Sequence, residues 1–419
     1  MDKEKWYIRK RKLIALGNSL CFYLCRVFPT HKNRIAVCTF EGKGGFGCNP
    51  KYIVLELHKS RPDLEIIWLV NDMTKEFPDY IKKVPNTLWS RAYWLSTSKI
   101  WIDNYRKPYG TKKRKKQFYI NTWHANIGFK SIGLWRGDAF SKMAYLVSKN
   151  DSDMIDRVVI DSTFCEILFR KGLLYDGEYL FVGQPRCDIL YGDRSPYKQQ
   201  LREKFSLPSD AKIVMFAPTF KETSSNGKRS VYLDQWSIDF PRMLSSLEER
   251  FGSKWYLFVR LHPQIAKEAS QMQSNIIEGR TIDVSLEDDM YEILAGVDAF
   301  VTDYSSAAFD ACCCGIPVFV YAEDIQLYQK ARGSLLWDYP GCYAAAVRNN
   351  KAITPEIDAT IPFHVVYNND ELITAIVSFN EGEYKTGISL FLKDTNMIFD
   401  GKASKRVAET ILENIKELT

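Results

Sequence analysis

Residues able to do polar chemistry recur in this 419-residue chain where short apolar runs stop. The run 213–216 leads to Thr219, 255–259 to Arg260 and His262, 282–284 to Ser285, and 297–301 to Asp303, Tyr304, Ser305 and Ser306. Hydroxyls, a guanidinium and an imidazole beside unpaired backbone N–H groups suit a phosphate-sized anion. One such turn is equally well explained by a serine capping the next helix, but four polar tips along one sheet edge are harder to dismiss. In the first half, the run 118–123 ends at His124, ahead of a glycine-containing loop that carries Lys130. A neutral imidazole there could take a proton near neutral pH. The segment GQPRCD, 183–188, reads as a turn offering Arg186 to an anion, or as a surface pair of Arg186 with Asp188.

Positioning these residues requires alternating strands and helices. Short, apolar, β-branched or aromatic runs bounded by polar turns predict buried parallel strands at 35–40, 65–70, 99–103, 118–123, 145–148 and 179–182. Helices are expected from Pro50, over 88–98 and over 161–169. The alternation restarts after a polar passage at 192–210, with a helix over 234–251 and a strand at 318–321. A last helix spans 403–418, apolar at Val407, Ile411 and Ile415. Gly42, Gly44, Gly45 and Gly47 do not give G-x-G-x-x-G, so a dinucleotide fingerprint is absent. The expected fold class is α/β, with two Rossmann-like domains facing across a cleft in the GT-B manner. The expected divisions are 1–34, 35–195, 196–364 and 365–419, the last comprising helices that pack back across the domains.

Length alone calls for two domains. Ten cysteines, three of them adjacent at 312–314, do not make a disulfide framework and point to a reducing compartment. No cysteine or histidine spacing indicates a metal centre. Residues 1–34 hold nine Lys or Arg against Asp2 and Glu4, a net +7, while the whole chain is +6, so the remainder is close to neutral. A basic head interleaved with Trp6, Tyr7, Leu13, Ile14, Leu16 and Leu20 predicts peripheral binding to an anionic membrane surface at the cytoplasmic face, not nucleic-acid binding. An ordinary helix packed on the first domain is the plainer alternative. The stretch RKPYGTKKRKK, 106–116, has seven basic residues and is expected to be a second anion-facing patch.

An ordered set of motifs resembles the CDP-glycerol glycerophosphotransferase family, which includes teichoic acid primases and polymerases and capsule-building relatives. The motifs are NPKYI at 49–53, WIDN at 101–104, TWHANIGFKSIG at 122–133, GQPRCDIL at 183–190, FAPTFKE at 216–222, RLHP at 260–263, TDYSSAAFD at 302–310 and DGKAS at 400–404. The resemblance implies that 35–195 is the acceptor domain and 196–364 the nucleotide-donor domain. It implies that His124 and His262 are the two functional histidines, and that Ser305 and Ser306 bind the donor pyrophosphate with Arg260, Thr219, Ser285 and Asp303. Lys130, Arg186 and Asp188 are expected on the acceptor side. Departures from the family pattern fall there too: Ala125, Asn126 and Ile127 replace Gly-Thr-Pro, and Gln184 and Cys187 replace Tyr and Asn. The implied reaction moves glycerol phosphate, or ribitol phosphate, from a CDP-activated donor to a lipid-linked saccharide or growing polymer and releases CMP. No resident cofactor is expected, and a divalent metal is left open. The competing readings are a GT-B glycosyltransferase or epimerase using a UDP-sugar, and a scaffold without catalysis.

Overall fold

The computed structural model describes residues 3–219, 223–225, 228–230, 237–261, 277–332, 335–337 and 357–417. The chain forms two compact units. The first comprises residues 1–126, 131–188 and 397–419, and the second comprises 127–130 and 189–396.

The first unit is built on seven parallel strands: β1 (His31–Cys38), β2 (Glu65–Val70), β3 (Ile81–Pro85), β4 (Ser98–Asp103), β5 (Phe118–Asn121), β6 (Arg157–Ile160) and β7 (Glu178–Phe181). Their order is β3-β2-β1-β4-β5-β6-β7. Strand pleating sends alternate residues to opposite faces, and both faces are covered. Ile35 and Val37 of β1 join a core with helix Cys48–Ser60 and helix Ala403–Glu417, which contributes Val407, Ile411 and Ile415. Ala36 and Cys38 face the other core, closed by helix Leu88–Thr97 and by Cys21, Phe22 and Cys25 at the end of the N-terminal segment.

The second unit repeats the plan. A hairpin of β9 (Thr223–Ser225) and β10 (Lys228–Ser230) follows β8 (Lys212–Phe216). The other strands are β11 (Trp255–Val259), β12 (Thr281–Asp283), β13 (Ala299–Thr302), β14 (Val318–Tyr321) and β15 (His364–Val366), in the order β12-β11-β8-β13-β14-β15. Counted within each unit, both sheets open with the 3-2-1-4-5-6 order of a doubly wound fold. Its ligand crevice lies where the order reverses, beyond the carboxyl ends of the first and fourth strands.

Several expectations are corrected. Residues 145–148 lie inside helix Lys142–Ser152, whose cap is Ser141 Oγ accepting from Ala144 N. Strands β3 and β6 were not expected. The C-terminal residues divide between the units: helices Asn369–Val377 and Glu381–Asp394 belong to the second and Ala403–Glu417 to the first. The basic segment 106–116 is mostly occupied inside the protein. Lys107 pairs with Asp103, Lys113 with Asp156, and Arg114 Nη2 donates to the carbonyls of Cys25 and Phe28 at 3.0 and 2.8 Å. The segment supports helix Lys3–Leu24: Ser19 Oγ donates to Gly110 O at 2.8 Å and Asn18 Nδ2 to Tyr109 O at 3.0 Å. Gly110 sits at φ +87°, and a side chain there would meet Ala15 O at 2.1 Å, so only glycine lets the helix come down.

The nine described cysteines are free thiols, eight of them buried. Cys312 and Cys313 pack behind β13 and β14, and burial pushes the Cys312 thiol up.

Candidate active site

In the first unit the polar groups gather at the switch between β1 and β4. Strand β5 stops at Asn121, two residues earlier than expected, because Asn121 Oδ1 accepts from Trp123 N at 2.7 Å and Trp123 turns to φ +49°. That turn delivers His124 to the end of β4, where its Nδ1 lies 2.9 Å from the carbonyl oxygen of Asn104. A carbonyl only accepts, so Nδ1 carries the proton, and in the neutral ring Nε2 is the basic nitrogen. Tyr105 stacks on the imidazole with centroids 5.1 Å apart, and Phe40 meets it edge-on at 5.5 Å.

A buried amide network holds this turn. Asn49, at the start of helix Cys48–Ser60, donates from Nδ2 to Trp123 O at 3.2 Å and to Gln184 Oε1 at 2.8 Å, while its Oδ1 accepts from Arg186 N at 3.0 Å. Arg186 Nη1 donates to His124 O. Arg186 is 2% exposed, so its place is behind the histidine and not on an open acceptor surface. Asp188 is committed elsewhere: its carboxylate oxygens accept from Ala403 N and Ser404 N at 3.0 and 2.7 Å, capping helix Ala403–Glu417. No Arg186–Asp188 pair is formed among the described ion pairs.

Beneath the histidine lies a buried charge cluster. Burial pushes the Asp103 carboxyl up, with the paired Lys107 ammonium opposing. Asp151 accepts from Lys107 N at 3.0 Å and Tyr119 Oη at 3.3 Å, and burial raises its carboxyl to about 7.

The second unit has an equivalent latch. Asp303, just past β13, accepts at Oδ1 from Thr219 N at 2.7 Å and at Oδ2 from Thr219 Oγ1 at 2.9 Å. Asn104, just past β4, likewise accepts at Oδ1 from Phe40 N at 2.8 Å. In each unit an Asn or Asp after the fourth strand ties down the turn after the first. Burial pushes the Asp303 carboxyl up, and Lys130 is the opposing charge. Lys130 therefore belongs to the second unit, within electrostatic reach of Asp303. Its loop, residues 127–130, is anchored by Trp337 Nε1 donating to Gly128 O at 3.0 Å, by Leu336 N donating to Phe129 O at 2.8 Å, and by Phe129 packed on Phe309.

Ser305 and Ser306 follow Asp303 and are partly exposed, and Ser305 Oγ accepts from Ala307 N at 3.3 Å, a capping contact. Arg260 and Ser285 are engaged within the second unit. Arg260 Nη1 and Nη2 donate to Val284 O and Glu287 O at 2.8 and 2.7 Å, and Ser285 Oγ accepts from Leu261 N at 2.9 Å. His262 lies outside the described residues. Among the described residues no group of three or more His, Cys, Asp or Glu side chains is arranged to hold a metal ion. Asn49, Asn104, Phe40 and Glu41 were not singled out as site residues by sequence. The motifs NPKYI and WIDN were the signal, but a buried amide has no titration or ligand spacing to announce it.

Over 98% of its length this chain is similar to the teichoic acid poly(glycerol phosphate) polymerase of Bacillus spizizenii W23, at 23% identity and covering 100% of that protein. It is 26% identical to the enzyme of the same name from Staphylococcus epidermidis, over 90% of this chain but spanning only 50% of that longer protein. The fold matches the wall teichoic acid polymerase TagF with a TM-score of 0.76 at 24% identity, covering 98% of each chain. The family model described as CDP-glycerol:poly(glycerophosphate) glycerophosphotransferase matches residues 20–413, through both units. The chain thus belongs to the CDP-glycerol:poly(glycerophosphate) glycerophosphotransferase family and is an alditol-phosphate transferase that uses a CDP-activated donor.

Proposed function

We propose that this protein extends a lipid-linked saccharide or a growing poly(alditol phosphate) chain, with His124 as the base that takes the proton from the acceptor hydroxyl. The observation that carries the reading is the 2.9 Å contact from Nδ1 to Asn104 O, which puts the ring proton on Nδ1 and makes Nε2 the basic nitrogen. The acceptor oxygen forms a bond to the phosphorus bearing the alditol, the P–O bond to CMP breaks, and CMP departs with the electron pair. Such a transfer calls for positioning and charge stabilisation more than for covalent catalysis. Ser305, Ser306 and Lys130 of the second unit are the groups assigned to the donor diphosphate, with Asp303 and Thr219 fixing the turn beneath them. The activated group travels with the donor, so the scheme uses no resident cofactor.

Incubation with CDP-glycerol and a primed lipid-linked acceptor is expected to release CMP. His124→Ala should cut turnover at least about 100-fold, as loss of a general base does, while leaving donor affinity unchanged. Full activity in that variant would remove His124 from the mechanism. A panel of CDP-glycerol, CDP-ribitol and UDP-sugars should show thermal stabilisation by the cytidine nucleotides alone.

The acceptor's lipid places the reaction at a membrane. Among the described residues no helix is long and apolar enough to cross one. Helix Lys3–Leu24 supports peripheral attachment to a membrane surface, which this reading assigns to the cytoplasmic face. Ala15, Asn18, Ser19, Cys21 and Phe22 face the protein, whereas Leu13, Ile14, Leu16 and Leu20 are 57–68% exposed beside exposed Arg9, Lys10 and Lys12.

A further inference from the structure

Strand β1 leaves the sheet through an unusual turn. Phe40, Glu41 and Gly42 occupy φ +48°, +58° and +84°, three successive left-handed residues of which only one is glycine. A bulky aromatic in that region is a true outlier, and such conformations persist where the surroundings impose them. Here three asparagines do so. Asn104 Oδ1 accepts from Phe40 N at 2.8 Å, and Asn86 Nδ2 and Asn71 Nδ2 donate to Glu41 O at 2.8 and 3.2 Å. Asn71 N also donates to Gly42 O at 2.7 Å, and a side chain at Gly42 would strike Asn86 Nδ2 at 2.6 Å.

The turn spans the mouth of the β1–β4 crevice, where a doubly wound sheet receives its ligand. Phe40 and Glu41 are themselves exposed, and the Phe40 ring lies against His124. The fully buried Asn104, which touches both Phe40 and His124, keeps an Nδ2 with no partner among the described residues. A strained turn, braced from behind, that shows solvent one aromatic face and one carboxylate has the chemistry to recognise a polyol. The ring covers a C–H surface, and the carboxylate accepts from hydroxyl groups.

We propose that the turn 40–42 binds the polyol end of the acceptor, with Phe40 against its carbon face and Glu41 accepting from hydroxyls adjacent to the one that reacts. This rests on the reading that His124 takes the acceptor's proton. Phe40 and Glu41 set which hydroxyl is offered and take no proton themselves.

The test uses the full chain with CDP-glycerol and a soluble short-chain lipid-linked acceptor ending in glycerol phosphate. Glu41→Gln keeps the shape and removes the charge. Phe40→Gly removes the ring at a φ that glycine adopts freely, so folding is retained. Each is expected to raise the acceptor KM about 10-fold or more, with donor KM and melting temperature close to wild type. A wild-type acceptor KM in both variants overturns the proposal, as does a rise in donor KM instead, or a fall in melting temperature that accounts for the loss. His124→Ala separates the two levels. If it is fully active, the reading of the site fails. If it is inactive while Phe40→Gly and Glu41→Gln use acceptor normally, only the polyol seat fails.

Discussion

Asp151 shows how one residue links the site to solution conditions. Its carboxyl, buried with Asp103, Lys107, Arg106 and Tyr119, titrates at about 7, whereas in an unfolded chain it would ionise near its usual value of about 3.9. The folded state therefore holds a proton that the unfolded state has lost between those limits. Stability from this group is fully present below the unfolded value, falls as pH rises towards 7, and is level above it. Asp151→Asn keeps an oxygen for Lys107 N and Tyr119 Oη and has nothing to titrate. Thermal denaturation at pH 5 and pH 8 should show the variant gaining on wild type at the higher pH; parallel curves would refute the assignment. Sequence could place His124 and Ser305 just past strand ends, because their types and positions after apolar runs are visible. It could not show that Arg260 and Asp188 are engaged inside the protein, since a guanidinium bound to Val284 O and Glu287 O reads the same as a free one.

At the scale of elements, legibility followed burial. The strands EIIWLV, apolar after Glu65, and VFVY, apolar throughout, are where they were expected, at 65–70 and 318–321. IKKVP escaped because an edge strand with exposed Lys82 lacks that signal, and YLVS misled because its β-like residues sit inside a capped helix. The closing helix Ala403–Glu417 was visible from its apolar spacing, but its partner was not. It packs on helix Cys48–Ser60 and is capped by Asp188, 215 residues before the nearer capped N–H. Asp188→Ala leaves two N–H groups uncapped and is expected to lower stability by about 1–2 kcal/mol. Urea denaturation followed on the first unit would check this, and an unchanged midpoint would mean the cap is dispensable.

For the molecule as a whole, the two-unit α/β plan was legible from two rounds of strand–helix alternation, but the path of the chain through it was not. Composition located the basic head and did not reveal that segment 106–116 carries it. Leu13→Asp with Leu20→Asp changes only exposed positions, so the fold should survive while sedimentation with phosphatidylglycerol vesicles drops about 10-fold or more; undiminished binding would place the membrane contact elsewhere. The division of the chain also bears on how the protein is made. The first unit takes its last helix from residues 403–417 and the seat for its first helix from residues 106–116. On the ribosome, then, the N-terminal half waits. Its sheet can form early, but one face stays uncovered until translation is nearly finished, whereas the second unit has all its described strands once residue 366 has emerged. A chain stopped short of residue 403 would carry a finished second unit and an open first one, so the first unit is the last part to mature.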